Sequence, residues 1–262
     1  MNVSFFFQLP TIIVAGTIFL LIILCNYLGY RYKKWQVFKH PGLVRESMGS
    51  IEGSILGVMS LLLGFTFSVA VSKYEARRHL VVEEANEIGT AILRCDMYPD
   101  SIRDPLRADF KQYVESRIAY FTAGDDEAKI NNEIKNAELI SGRIWKRVTL
   151  HTNDLDLRVP SQQMIPVLNN VIDIVTTRDA MRVSKVPPLI LFTLLFLILI
   201  AAFLLGSDYE GHKRNYTLVI SYALVMTLTI NLISELNHPR KGVINLNAVE
   251  QKIVNLRELV KY

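Results

Sequence analysis

Residues 51–93 read IEGSILGVMSLLLGFTFSVAVSKYEARRHLVVEEANEIGTAIL, and the fold turns on how this stretch is parsed. Its first part, 53–72, holds no charged residue, its second part is rich in charge, and no proline occurs between 51 and 98. A charge-free run of this length meets the roughly 20 residues that a bilayer requires. The pattern therefore predicts one helix that begins as a membrane span and continues, without a breaker, as a water-facing rod. The span is diluted by small and hydroxyl residues, and Gly53, Gly57, Ser60 and Gly64 recur at steps of four, three and four. That spacing puts them on one helix face. A face of small residues lets another backbone approach closely, the main packing device where no hydrophobic effect operates between helices. The same face can instead line a water-filled path, with the Ser60 hydroxyl to assist ions and Phe65 and Phe67 to form an apolar constriction.

Working outward, three more charge-free windows occur at 1–30, 186–207 and 215–234. Spans are expected at about 11–30, 53–72, 187–206 and 215–234. The third is the most apolar: of the 17 residues from Leu189 to Leu205, 14 are Leu, Ile or Phe. At about −0.3 to −0.6 kcal/mol each, its insertion energy is of order −5 kcal/mol. Set against the diluted second window, this predicts that the third span faces lipid and the second faces protein. The first window lacks the basic n-region and small-residue cleavage site of a signal peptide, so it reads as a span opened by Pro10. Half the chain is hydrophobic and the mean hydropathy is positive, beyond what a soluble domain of 262 residues shows.

Between the two hairpins, 73–185 carries 17 basic and 18 acidic residues, so the net charge of +4 arises at the membrane flanks and gives no sign of nucleic-acid binding. Apolar residues recur at helical steps: Tyr74, Val81, Ala85, Ile88, Ile92 and Cys95; then Ile102, Leu106, Phe110 and Tyr113 up to a turn at 122–125; then Ile130, Ile134, Ala137, Ile144 and Val148; then Val167, Val171, Ile174 and Met181 after Pro160. Four amphipathic helices make a soluble bundle. The expected class is all-α: a transmembrane hairpin at 1–72, the bundle at 73–185, a second hairpin at 186–234, and an amphipathic tail at 235–262 with Val249, Ile253, Leu256 and Val260 in register. Arg31, Lys33, Lys34, Lys39 and Arg45 fill the first loop, whose turn is Pro41-Gly42. They place that loop in the cytoplasm and the bundle outside, but Lys73, Arg77 and Arg78, with Arg178, Arg182 and Lys185, are also basic, so the side stays open. Cys95, in the water-facing part, offers a thiol for testing it.

Glu83, Glu84, Asn86 and Glu87 are candidates for a vestibule ring of oxygens, or for a helix face satisfied by Arg77, Arg78 and Arg94. Thr227, Thr229 and Asn231 are candidates for hydrogen bonds between spans. His40, His79, His151, His212 and His238 stand singly, and Cys25 and Cys95 form no ligand spacing, so no metal or cofactor is expected. No nucleophile elbow or phosphate-binding glycine loop occurs, and an enzyme is not expected.

The block Leu61-Leu62-Leu63-Gly64-Phe65-Thr66-Phe67-Ser68, then Tyr74-Glu75-Ala76-Arg77-Arg78 and Val82-Glu83-Glu84-Ala85-Asn86-Glu87-Ile88-Gly89-Thr90, resembles the bacterial membrane-protein family labelled bestrophin-like. The weaker Pro239 to Gly242 element after the fourth span also resembles it, though Asn237-His238 replaces the acidic residue often found ahead of that proline. Through the distant similarity of that family to bestrophins, the resemblance implies a homo-oligomeric anion channel in the cell membrane, the bacterial inner membrane, with its pore along the second span. The acidic calcium-binding cluster of bestrophins has no counterpart in a tail holding only Glu235, Glu250 and Glu258. Two functions fit: a homo-oligomer in the lipid bilayer passing small ions, or a membrane sensor or scaffold whose bundle binds a ligand or partner without conduction.

Overall fold

The computed structural model describes residues 11–39, 49–207, 216–240 and 243–261. The readings made for Pro10, His40, Pro41-Gly42, Arg45, the loop at 208–215 with His212, and Gly242 lie outside the described residues. The chain is all-α. Its helices are α1 (Thr11–Lys39), α2 (Gly49–Arg94), α3 (Asp100–Thr122), α4 (Glu127–Thr149), α5 (Arg158–Val183), α6 (Pro188–Ser207), α7 (Tyr216–Asn237) and α8 (Asn247–Asn255), with short 3-10 turns at Cys95–Met97 and Leu256–Glu258. Among the described residues four helices are long and apolar enough to cross a membrane. The chain divides into two compact units, Met1–Ser72 with Val186–His238, and Lys73–Lys185 with Pro239–Tyr262.

In the first unit α1, the opening half of α2, α6 and α7 form the apolar set. Helix α1 runs through Lys39 rather than ending near Tyr30: nothing between 31 and 39 breaks a helix, and Arg and Lys are good helix formers. Its tightest approach is to α6. A methyl group on Gly29 would run into the Phe203 carbonyl, and one on Gly206 into the Asn26 carbonyl. With Ala201 and Ala202 also buried there, the two backbones touch, and the Asn26 amide Nδ2 donates to the Ala202 carbonyl at 3.0 Å. The Tyr222 hydroxyl on α7 donates to the Ile198 carbonyl at 3.2 Å and sits 3.7 Å from the Met59 sulfur. Within one protomer α6 buries Leu194, Ile198, Ala201, Ala202 and Gly206, whereas the glycine face of α2 is open. Of the hydroxyls in α7, Thr229 bonds back to its own helix at the Val225 carbonyl rather than to a neighbour.

In the second unit the charged half of α2 packs with α3, α4, α5 and α8. Ile88, Ile92, Leu106, Phe110, Ile144 and Leu168 are fully buried in one core, each contributing about 1.5–3 kcal/mol through lost apolar exposure. Local signals set the ends of the helices. Gly124 takes φ +58°, closing α3 in the left-handed region that glycine enters without a Cβ penalty. The Asp126 side chain then caps α4, accepting from the Ala128 and Lys129 amides at 3.1 Å each. Pro160 sits in the first turn of α5, where its missing N–H does no harm. The tail belongs to this unit. Arg257 pairs with Glu115 at 2.6 Å, Arg107 donates to the Leu259 carbonyl at 2.8 Å, and Leu256 lies against the bare backbone of Gly89.

Candidate functional site

The α2 candidates separate by unit. In the span, Gly53, Gly57, Ser60 and Gly64 are all exposed, and a methyl group at any of the three glycines would meet nothing within 4 Å. Phe67, three residues beyond Gly64, extends the same face and is half-buried, while Phe65 projects from another side of the helix and is 63% exposed. The opposite side of the helix carries the buried Met59, Thr66 and Ala70. Thr66 returns its hydroxyl to the Leu62 carbonyl at 2.7 Å, so it asks nothing of its neighbours. Each protomer therefore presents an uncharged strip of small residues that meets no partner among the described residues of its first unit.

In the second unit the four expected oxygen donors do not form one group. Glu83 is exposed beside His79 at 3.6 Å, Asn86 is exposed, and Glu87 is half-buried. Glu84 points the other way and is fully buried. Its partners are Arg117 of α3, at 2.5 Å through Nε, and Arg178 of α5. The arginines expected to satisfy this face are engaged elsewhere: Arg77 donates to the Met181 and Ser184 carbonyls, Arg78 meets Glu75, and Arg94 donates to the Gln163 carbonyl. Burial alone would raise the Glu84 pKa, but the charges and hydrogen bonds of Arg117 and Arg178 outweigh it and hold the carboxyl below its ordinary value. The same pairing raises Arg117 above the ordinary guanidinium range despite its burial.

Arg178 also reaches Glu250 of α8 at 3.3 Å. The Tyr120 ring lies among three guanidinium groups, with centroid distances of 4.4 Å to Arg117, 5.5 Å to Arg178 and 4.7 Å to Arg240. Arg240 donates in turn to the Gly124 carbonyl at 2.7 Å. Among the described residues, both Nη atoms of Arg117 and Oε2 of Glu250 are buried without a hydrogen-bond partner. Burial pushes Glu250 up to about 7, against the opposing pull of Arg178 and Arg240. This cluster ties four helices together and leaves one carboxyl poised to titrate near neutrality. Cys95 is buried too, its Sγ 3.4 Å from the Ala91 carbonyl and its thiol pushed up to about 12, so it is a core residue and no labelling site.

The charged cluster was readable in principle. Arg117 falls on the stripe Leu106, Phe110, Tyr113, Tyr120, and Glu84 and Arg178 fall on the apolar stripes of α2 and α5. A charged residue at a core position signals a buried partner. Asn26, Gly29 and Gly206 carried a similar signal as small or polar interruptions of otherwise bulky apolar spans.

Fold and site together define an all-α protein with four helices suited to a bilayer, one of which exposes an uncharged small-residue face. The chain belongs to the Bestrophin-like family, whose domain model matches residues 49–250. Among solved structures, it is similar to crystal structures of a bacterial Bestrophin homolog from Klebsiella pneumoniae. One superimposes with TM-score 0.76 at 14% identity, covering 97% of this chain and 99% of that one. A second gives 0.74 at 15%, covering 94% and 98%, and a third 0.72 at 15%, covering 93% and 97%. At these identities the likeness is one of fold. No curated protein matches the sequence.

Proposed function

We propose that the protein is a homo-oligomeric ion channel of the cell membrane, passing small anions along a path lined by α2 from each protomer. The observation that carries this reading is the open face of Gly53, Gly57, Ser60, Gly64 and Phe67. Its small residues are uncharged, apolar apart from one hydroxyl, and unpartnered among the described residues of the unit, so in a membrane they must meet lipid, another protomer or a water-filled path. Small residues there favour close approach of a neighbouring α2, and Phe67 supplies the narrow apolar ring. Membership of the Bestrophin-like family supports conduction, and the inward turn of Glu84 toward two arginines removes one repulsive carboxylate from an anion path.

The test is recording from purified protein in planar bilayers, paired with mass determination in detergent. A homo-oligomer with anion-selective currents that change when Phe67→Ala is introduced is the expected result. A monomer, or an oligomer without currents, overturns the channel and leaves the scaffold function.

A further inference from the structure

We propose that the last turns of α1, residues 31–39, form a headgroup site for anionic phospholipid. Helix α1 has 29 residues and is about 43 Å long, whereas the hydrocarbon core of a bilayer is about 30 Å thick. The level at which α1 leaves that core is marked by α6. Gly29 abuts Phe203 and Ser207, Gly206 abuts Asn26 and Tyr30, and in sequence the apolar run of α6 gives way to Asp208 immediately afterwards. Residues 31–39 thus rise past the end of the apolar layer while remaining helical.

What they expose suits a headgroup layer. Arg31, Lys34, Trp35 and Phe38 are spaced at i, i+3, i+4 and i+7 on one face, and Lys33 and Lys39 add two more cations. Trp35 is 53% exposed, Val37 59% and Phe38 86%. Large apolar side chains that open among cations are costly in water and favourable where acyl chains meet phosphates. Trp35 is held in place: Tyr32 stacks on it at 6.3 Å and backs onto Phe203 at 5.8 Å, while the Lys39 ammonium sits 4.4 Å over its ring. Among the described residues the charge of Arg31, Lys33, Lys34 and Lys39 has no ion-pair partner. No acidic residue precedes Glu46, and the described part of this unit supplies only Glu52 and Glu235. Four cations on two and a half turns therefore call for external anions, and the phosphodiesters of the layer they enter provide them.

The protein has two tryptophans, Trp35 and Trp145, so Trp145→Phe leaves Trp35 as the sole reporter inside the proposed site. The variant is reconstituted into phosphatidylcholine vesicles holding phosphatidylglycerol, with bromine on the acyl chains of one lipid or the other at equal mole fraction. Enrichment of the anionic lipid predicts that brominated phosphatidylglycerol quenches Trp35 at least about twofold more strongly than brominated phosphatidylcholine, since cations near the surface attract anionic headgroups. Adding Lys33→Gln, Lys34→Gln and Lys39→Gln should bring that ratio to about one. Equal quenching by both lipids in the parent overturns the site. So does quenching by neither, which would mean that a second protomer or water covers Trp35. The test depends on α1 spanning a bilayer and not on conduction, so a failed channel recording leaves it standing.

Discussion

Glycine positions in the first unit should divide into two classes with opposite consequences. At Gly29 and Gly206 an added methyl overlaps the backbone carbonyl of the facing helix, which cannot move aside as a flexible side chain could. Gly29→Ala or Gly206→Ala must therefore push α1 and α6 apart, at about 1–3 kcal/mol for overpacking. Separation also stretches the Asn26 to Ala202 hydrogen bond, worth roughly another 0.6–1.7 kcal/mol in a membrane. A total of about 2–5 kcal/mol lowers the unfolding midpoint by about 4–20 °C for a chain of this size. At Gly57 and Gly64 the methyl meets nothing among the described residues, so the midpoint of the isolated protomer should stay put while oligomer mass in detergent shifts, more so for Gly57→Leu and Gly64→Leu. Thermal unfolding followed alongside light scattering reads both effects. Gly29→Ala and Gly206→Ala as stable as the parent would refute the close-contact reasoning, and Gly57→Leu with unaltered assembly would refute the role given to the α2 face.

In the second unit, Glu84→Gln strands Arg117 and Arg178 as buried unpaired cations and should cost about 3–5 kcal/mol in chemical unfolding, whereas Glu83→Gln and Glu87→Gln should stay within about 0.5 kcal/mol. Glu250 makes stability depend on pH. Its native carboxyl holds a proton up to about pH 7 that the unfolded chain releases in the ordinary carboxylate range, so its contribution is complete at low pH and lost as pH rises through about 7. The loss is of order 3 kcal/mol, and Glu250→Gln should flatten it. Glu84 acts in the opposite sense, its contribution being lost as pH falls below the ordinary carboxylate range, so unfolding midpoints should peak in mildly acidic solution. For membrane sidedness, Leu139, 73% exposed on α4, replaces Cys95 as the reporter: Leu139→Cys with Cys25→Ser and Cys95→Ser should react with an impermeant maleimide in intact cells if the second unit faces outward, as the first loop's charge predicts. Protection there would reverse that orientation.

The all-α class, the four spans and the continuity of α2 were legible because each rests on local pattern. A charge-free run of bilayer length, an apolar stripe at helical spacing and an uninterrupted 51–98 say the same thing wherever the rest of the chain lies. The turn that holds Gly124 was equally local. The small-residue face of α2 meets no partner among the described residues of the first unit, whereas Gly29 and Gly206, isolated glycines in bulky spans, hold a close helix contact. A single glycine shows its purpose only when the helix opposite it is known.

Charge followed the same division. Amino-acid order alone established that Glu83, Glu84 and Glu87 lie on one charged rod and that 31–39 is a basic segment. Only the packing of α3, α5 and α8 decided that Glu84 turns inward to Arg117 and Arg178 and that Glu250 joins them. Ion pairing between residues 33 to 94 positions apart depends on which helix faces meet, and helical periodicity carries no information about that. Hydrophobic spacing along one helix is a short-range property written into neighbouring residues, while the choice of partner for a buried charge is settled only when distant segments come within a few ångströms.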